Sequence, residues 1–438
     1  MKSLKIVLMT LMLLPALIKL DMNAFAFHNG GVGPCEGCHT MHNSSDGAPV
    51  GKGLPAGSAN SYLLLQRDPS STCLNCHQRT GDTGPASYHV STPDSELFAG
   101  MPPKQLSPGG DFAWLKKTYS WMQGPGLPMA TSSGERHGHN IVASDFLYAP
   151  DSTYSYAPGG NYPAAGLGCT SCHDPHGKYR RNNDGTITTS GKPIAGSGSL
   201  ASSRDPDSSS AVGAYRMLGG KGYQPKNLSG NYAFVNDPPD AVAPDQYNRT
   251  ESSTQTRVAY GAGMSEWCRN CHPNLHTAAA PGHTNLLHAA GNAAKLGSEM
   301  ARTYNSYLKT GDLSGTPDFS YLSLVPYEEG TRDYSALKAH AQSDNTFLAG
   351  PDGIAAQVTC LSCHRAHASG WDGMTRWNTK TDYIAYNSLY AQEGEAYQPY
   401  GQGRTETEAT RAYYDFPAAK FGVNQDTLCN KCHGGIYP

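Results

Sequence analysis

The stretch Cys169-Thr170-Ser171-Cys172-His173 places a histidine directly after two cysteines that are separated by two residues. This C-x-x-C-H spacing occurs six times and uses all 12 cysteines of the chain, as Cys35/Cys38, Cys73/Cys76, Cys169/Cys172, Cys268/Cys271, Cys360/Cys363 and Cys429/Cys432. In such a motif the two thiols add to the vinyl groups of a haem, and the histidine binds the iron from one face. The sequence therefore predicts six covalently attached c-type haems with the proximal ligands His39, His77, His173, His272, His364 and His433.

Two other uses of paired cysteines fit this pattern poorly. Disulfide-rich domains do not place a histidine after every pair, and two intervening residues would close a small strained ring. A structural zinc site needs four ligands close together, whereas these pairs are spread along the whole chain. Covalent haem remains the best explanation of the cysteines.

The composition predicts a chain with little regular structure. Glycine and proline are abundant, at 49 and 30 of 438 residues, and hydrophobic residues make up 38%. Helical periodicity is clear only in residues 292–309 and 334–341, and strand alternation is nearly absent. Because each haem is a large apolar body, six of them can serve as the core. We expect a mostly irregular polypeptide, with a few short helices and almost no strand, wrapped around a chain of six haems.

The beginning of the sequence predicts export from the cytoplasm. Lys2 and Lys5 precede an apolar stretch, residues 6–18, and Ala24-Phe25-Ala26 has the form of a signal-peptide cleavage site. The stretch is shorter than the roughly 20 residues that span a bilayer. We predict a signal peptide at residues 1–26, one hexahaem domain at 27–438 and no transmembrane span. The net charge of −3 gives no reason to expect nucleic acid as a partner.

The second axial ligand decides what each haem can do, because an open iron face permits substrate chemistry whereas two protein ligands leave electron transfer. The chain has 11 histidines besides the proximal six, enough for six bis-histidine haems. His42, His176 and His367 each extend a motif to C-x-x-C-H-x-x-H. Such a histidine lies too close to its own motif to reach the far side of that iron, so we expect it to ligate a neighbouring haem.

The other distal candidates stand alone in the sequence. His139 and His288 are independent candidates, and the remaining place is open to His28, His89, His276 and His340. His137 and His283 are not assigned. The 12 methionines recur at no fixed position, so bis-histidine ligation and low reduction potentials are favoured.

A basic cluster follows the third motif. Lys178, Arg180 and Arg181 have the charge needed to pair with haem propionates. A solvated surface cluster explains the same residues equally well.

Several segments resemble the OmcS-type hexahaem cytochromes of metal-reducing bacteria. They include CEGCHTMHNS (35–44), GHNIVA (138–143), CTSCHDPHGKYRR (169–181) and GAYRMLGGKGYQPKNLSGNYAF (213–234). The resemblance implies a homopolymer that forms extracellular filaments, with stacked haems that carry electrons to acceptors such as metal oxides or to other multihaem cytochromes. It also implies that His42 ligates a haem of the adjacent subunit, that of Cys360 and Cys363.

Two competing functions remain at the sequence level. A monomeric periplasmic electron shuttle would have the same motifs, and only the family resemblance argues against it. A multihaem reductase would need a haem with an open face, often marked by a lysine in place of the proximal histidine, but all six motifs end in histidine. We therefore expect an electron-transfer protein and not an enzyme.

Overall fold

The computed structural model of the protein describes residue 28 and residues 33–276, 288–391 and 400–434. The predicted signal peptide and His283 lie outside this part of the chain. Most of the described residues form turns and irregular segments, as the sequence predicts. None of the described helices combines the length and the hydrophobicity that a membrane crossing requires.

The helices of the described part are short. They are α1 (Pro69–His77), α2 (Cys169–Cys172), α3 (Met264–Cys268), α4 (Gly297–Ser306), α5 (Tyr334–His340), α6 (Cys360–Cys363), α7 (Glu406–Ala412) and α8 (Asn430–His433). Strands have two to four residues and pair antiparallel. They are β1 (Tyr119–Met122), β2 (Met129–Ser132), β3 (Arg180–Arg181), β4 (Ile187–Thr188), β5 (Val212–Gly213), β6 (Asp240–Val242), β7 (Ala259–Ala262), β8 (Tyr383–Tyr386), β9 (Leu389–Tyr390) and β10 (Gln425–Asp426). The small sheets have the orders β1-β2, β4-β3-β5, β6-β7 and β10-β8-β9.

Five of the six C-x-x-C-H motifs overlap a short helix, and the first begins with the 3₁₀ turn Cys35–Gly37. A helical turn suits this motif because residues three apart lie on the same face, so both thiols point to one side. The longest of these helices, α1, has Asp68 as its N-cap, with the side chain accepting from the Ser71 amide at 2.7 Å. The haem motifs thus account for most of the helices.

The predicted helix at residues 292–309 is shorter in the structure. Helix α4 begins at Gly297, because the preceding segment pairs with another extended segment: the Leu296 amide donates to the Ala356 carbonyl at 3.0 Å. The predicted helix at residues 334–341 agrees with α5 and is capped by Asp333.

Hydrophobic side chains of the described residues form several separate small clusters. The largest contains Trp114, Tyr304 and Trp377, which are at most 3% exposed. Tyrosine is the commonest buried aromatic residue, which suits an interior whose surfaces carry both apolar and polar groups. Four of these five clusters pack against motif cysteines, and the clusters do not form one continuous protein core.

Candidate haem-binding sites

The six motifs are neighbours in space in the order in which they occur along the chain. The Cys73 thiol hydrogen-bonds with that of Cys169, which together with burial raises the pKa of Cys73 well above its ordinary value. Cys268 and Cys360 interact in the same way. The remaining successive motifs contain cysteines that interact electrostatically: Cys38 with Cys76, Cys172 with Cys271, and Cys363 with Cys429. Groups attached to these thiols would therefore form one continuous row.

The junctions between motifs two and three and between motifs four and five share one construction. Helix α1 packs against α2, and α3 packs against α6. Ser70 Oγ accepts a hydrogen bond from the Cys169 amide, and Ser265 Oγ accepts one from the Cys360 amide, each at 3.0 Å. Each serine lies three residues before the first cysteine of its own motif. We call these two contacts the serine junctions.

Five pairs of histidine rings face one another across a gap. The pairs and the distances between their ring centres are His28 and His77 (5.8 Å), His39 and His176 (6.3 Å), His139 and His272 (6.1 Å), His173 and His367 (6.4 Å), and His288 and His433 (6.1 Å). Imidazole nitrogen binds a metal at about 2.0–2.1 Å, so two rings on opposite sides of one ion should have centres about 6.3 Å apart. The gaps therefore fit an iron with two imidazole ligands.

Backbone carbonyls orient these rings. Nδ1 of five proximal histidines and of two distal candidates lies within hydrogen-bond distance of a backbone carbonyl. The histidines and the residues that supply the carbonyls are His39 and Tyr62 (3.0 Å), His77 and Tyr88 (3.0 Å), His139 and Ala366 (2.7 Å), His173 and Arg216 (2.7 Å), His272 and Pro158 (2.8 Å), His288 and Ala289 (2.9 Å), and His364 and Gly373 (2.8 Å). A carbonyl can only accept, so Nδ1 carries the proton and Nε2 keeps its lone pair for a metal. Burial lowers the pKa of His77 and of His139 to about 4, which keeps both neutral, as a metal ligand must be.

The pairing of the odd-numbered motifs follows a simple rule. His176, the second histidine of motif three, faces the proximal His39 of motif one. His367, the second histidine of motif five, faces the proximal His173 of motif three. Each odd motif thus completes the site of the previous odd motif. We call this the odd-motif exchange.

The odd-motif exchange leaves two histidines over. His42, the second histidine of motif one, is exposed, and no imidazole of the described residues faces it. His364, the proximal histidine of motif five, is half-buried and also has no opposing imidazole among the described residues. These two are the partners that one further step of the exchange would bring together.

The proximal histidine of each even-numbered motif faces a histidine that precedes the previous odd motif in the sequence. His28 precedes motif one and faces His77 of motif two, and His139 precedes motif three and faces His272 of motif four. His288 likewise precedes motif five and faces the proximal histidine of motif six. The chain therefore consists of three two-motif units in which the facing histidines follow the same order.

Three other histidines have different partners or no described side chain. Nδ1 of His89 lies 2.7 Å from Asp82, and Nδ1 of His340 lies 2.6 Å from Glu329. Neither faces another imidazole among the described residues. His276 lies in the 3₁₀ turn Pro273–His276, and its side chain is not among those described. The structure thus brings together His28, and neither His89 nor His340, with a proximal histidine.

His137, which was left unassigned, is fully buried. It lies 2.8 Å from the Ser132 hydroxyl and 3.0 Å from the Trp114 carbonyl. Both ring nitrogens have protein partners, which agrees with leaving this histidine out of the ligand set.

The carbonyls that orient the odd proximal histidines belong to three equivalent turns that the sequence did not reveal. These turns are Ser61–Leu63, Tyr215–Met217 and Asp372–Met374. In each, two successive residues have left-handed φ angles: Tyr62 (58°) and Leu63 (58°), Arg216 (50°) and Met217 (53°), and Gly373 (68°) and Met374 (50°). The second residue after each turn donates its backbone amide to the carbonyl of a motif cysteine: Leu65 to Cys38 (2.9 Å), Gly219 to Cys172 (2.9 Å) and Arg376 to Cys363 (2.7 Å). We call them the left-handed straps; their only sequence signal is a Leu or Met at the second left-handed position.

The basic cluster after motif three has protein partners. Arg181 is buried and forms an ion pair with Asp240. Arg180 Nη1 donates to the Lys192 carbonyl at 2.7 Å, and Lys178 lies over the Tyr179 ring. These residues are not directed together at one anion site.

The cysteine chemistry favours thioether attachment. None of the 12 cysteines forms a disulfide, so every sulfur is available for a thioether bond. In the described ranges no three or more His, Cys, Asp or Glu side chains are arranged to hold a bare metal ion. The paired thiols and the facing imidazoles fit covalent haem, which would supply the redox-active iron when bound.

Together, covalent haem motifs and imidazole pairs across an iron-sized gap define a multihaem c-type cytochrome. The chain is 56% identical over 424 residues to C-type cytochrome OmcS of Geobacter sulfurreducens, which covers 95% of this chain and 96% of that protein. It therefore belongs to the OmcS family of c-type cytochromes.

Solved structures give the same result. The outer membrane cytochrome S filament from Geobacter sulfurreducens matches with a TM-score of 0.87 and 55% identity, covering 93% of this chain and 100% of that chain. The OmcS nanowires from the same organism, determined by cryo-EM, match with a TM-score of 0.86 and 56% identity, again over 93% and 100%. No protein-family model matches the chain.

Proposed function

We propose that the protein carries six haem c groups and polymerises head to tail into extracellular filaments that conduct electrons. The similar structures are of a filament and of nanowires, and the fold match covers 93% of this chain. Electrons would pass along the row of motifs and leave to extracellular acceptors such as metal oxides, or to other multihaem cytochromes.

The proposed ligand set follows the facing rings. His39 and His176, His28 and His77, His173 and His367, His139 and His272, and His288 and His433 each hold one iron. The sixth iron, at Cys360 and Cys363, is held by His364 and by His42 of the next subunit. The chain thus supplies two imidazoles for every iron, which leaves no open face for a reductase reaction.

The observation that carries this proposal is the odd-motif exchange. His176 of motif three faces His39 of motif one, and His367 of motif five faces His173 of motif three. If the series continues into a second copy, the second histidine of its motif one, His42, would face His364. His42 is exposed, so it is available to a second copy. Such an interface joins two different surfaces and does not close on itself, so repeating it produces a filament. A monomeric periplasmic shuttle would leave His364 without its second imidazole.

The remaining features of the proposal concern export and chain organisation. Residues 1–26 act as a signal peptide, and residues 27–438 act as one hexahaem unit outside the cytoplasm. Its partners are further copies of itself, other cytochromes and extracellular acceptors, and nucleic acid is not among them.

Replacement of His42 tests the proposal. We expect H42A to mature with six haems, to lose filament formation in electron microscopy, and to show one high-spin ferric haem per chain. The matched control is H340A, which removes a histidine bound to Glu329 and should leave filaments intact. Normal filaments from H42A would contradict the inter-subunit ligand, and only monomers from the parent chain would favour the periplasmic shuttle.

A further inference from the structure

The three left-handed straps have the same backbone but are held in place differently. Their first residues are Ser61, Tyr215 and Asp372. Ser61 is exposed, and Tyr215 packs in an apolar cluster. Asp372 is the charged residue among the three, and its side chain is only 9% exposed. The strap of motif five therefore has an anchor of a different chemical kind.

The Asp372 carboxylate binds donors from three separate places in the chain. Oδ1 accepts a hydrogen bond from the hydroxyl of Ser132, the last residue of β2. Oδ2 accepts from Lys380 Nζ at 2.9 Å, and Arg136 Nε lies 3.4 Å from the same oxygen. Hydrogen bonds to an ionised acceptor are shorter and stronger than those between neutral groups. The first residue of this strap is therefore firmly fixed.

Buried groups hold the Ser132 hydroxyl in turn. Ser132 and His137 are both fully buried, and His137 Nε2 lies 2.8 Å from the hydroxyl. The other ring nitrogen, Nδ1, donates to the Trp114 carbonyl at 3.0 Å. The His137 carbonyl accepts from the Ser369 amide at 2.9 Å, which ties this segment to the chain just after motif five. The anchor is thus part of a packed polar network.

The strap of motif five orients a histidine whose second imidazole is missing from its own chain. Gly373, directly after Asp372, supplies the carbonyl 2.8 Å from His364 Nδ1. The proximal histidines that the other two straps orient, His39 and His173, each face an imidazole of the same chain. His364 faces none among the described residues. Before a second copy binds, the strap carbonyl is the described hydrogen-bond partner of its ring.

We propose that Ser132 and Asp372 are positioning residues that fix the His364 ring in advance for an incoming imidazole. A ring that is already fixed loses less conformational freedom when the second ligand arrives, which strengthens binding. The inference rests on the proposed function, in which His42 of the next subunit is that ligand. It gives a polar network outside the proposed ligand set a part in filament assembly.

The experiment measures the binding of free imidazole to the full hexahaem protein carrying H42A. In this variant the proposed function leaves one haem with a single protein ligand, and imidazole should convert it from high spin to low spin. Absorption spectroscopy gives the Kd. Adding S132A or D372A should weaken imidazole binding about tenfold, the lower end of the loss caused by removing groups behind a metal ligand. D372N keeps an oxygen acceptor for the Ser132 hydroxyl and should lose less.

The matched control is D240N, also combined with H42A. Asp240 is a buried aspartate that pairs with Arg181, but it lies in β6 and not on a strap. D240N should leave the Kd for imidazole unchanged. An unchanged Kd in both S132A and D372A would overturn the proposal, and so would an equal loss of affinity in D240N.

Electron paramagnetic resonance separates positioning from a general loss of stability. In S132A the g values of the low-spin imidazole complex should shift, because they depend on the orientation of the His364 ring, whereas in D240N they should match those of H42A alone. If D372A does not mature, S132A decides, since it removes a single oxygen.

The H42A protein also distinguishes this inference from the proposed function. Absence of a high-spin haem in H42A would contradict the inter-subunit ligand and this inference together. A high-spin haem whose Kd for imidazole is the same with and without S132A and D372A would contradict only this inference.

Discussion

The two internal serine junctions and the two terminal motifs are built differently. Inside the chain, Ser70 and Ser265 each bind the first amide of the next motif. In motif six the residue three positions before the first cysteine is Asp426, which cannot supply the same neutral hydroxyl. The first motif also has Gly37 where motif three has Ser171, whose hydroxyl accepts from the Gly168 amide. A contact between the last motif of one subunit and the first of the next would therefore lack these hydrogen bonds. In the proposed filament, the bond between iron and His42 would have to contribute more to that contact.

Removing equivalent ligands inside and between subunits gives the largest expected effect. H176A and H42A each delete the second histidine of an odd motif. H176A should still polymerise and show one high-spin haem, because the chain itself holds the unit together, whereas H42A should remain monomeric. Electron microscopy and electron paramagnetic resonance measure both outcomes. If the two variants polymerise equally, the internal and terminal contacts do not differ in the way proposed.

The junction between motifs four and five should also show a pH dependence that the other junction lacks. Glu328 is fully buried there, accepts from the Met264 amide at 2.7 Å, and has its pKa raised to about 7 by burial. In the unfolded chain this carboxyl has its ordinary pKa of 4.5. Its contribution to the free energy of unfolding is therefore fully present below pH 4.5. That contribution is lost as the pH rises toward 7, by about 1.4 kcal/mol per pH unit. E328Q should remove this slope from unfolding curves measured between pH 4.5 and 7. An unchanged slope would mean that other groups cause it.

Deleting a serine of a serine junction should have a smaller effect. S265A leaves the Cys360 amide without its acceptor, which should lower the free energy of unfolding by about 1–2 kcal/mol, and S70A should do the same for the Cys169 amide. Thermal unfolding measures the change. S253A is the control because Ser253 is exposed. An equal loss of unfolding free energy in S253A would show that the serine junctions contribute no more than an exposed serine.

The smallest predicted effect concerns the left-handed strap of motif five. Gly373 has φ 68° and room for a methyl group, so G373A should destabilise the chain by about 1 kcal/mol through backbone strain. Because the Gly373 carbonyl orients His364, the low-spin resonance signal of that haem should change as well. Gly191 has φ 99° and no neighbour within 4 Å, and it does not touch a motif. G191A should be destabilised by the same backbone strain but should keep the parent spectrum. Identical spectra for G373A and G191A would contradict the claim that the strap orients His364.

The sequence predicted the haem-attachment motifs better than it predicted which histidine faces which. The C-x-x-C-H spacing is a rule about five adjacent residues, and these residues determine their own short helices. The irregular fold also followed from composition, since few segments have an amphipathic period. The coarse fold prediction is confirmed by the structure and by its similarity to the OmcS filament.

The assignment of distal histidines could not be made from the sequence because it depends on contacts between distant segments. His39 and His176 are 137 residues apart in the sequence, and no local pattern encodes the contact between their rings. His28 and His89 looked equivalent in the sequence, yet only His28 faces a proximal ring. The ligand assignments themselves stay predictions until iron ligation is measured.

The odd-motif exchange has a consequence for how a newly exported chain matures. His39 faces a ring that is synthesised only at residue 176, and His173 faces one at residue 367. In the proposed ligand set, a chain exported from its N-terminus would carry the haems of motifs one and three with a single imidazole until residues 176 and 367 arrive. We expect the enzymes that attach haem to encounter a loose polypeptide, and the last iron to be completed only when another molecule joins it.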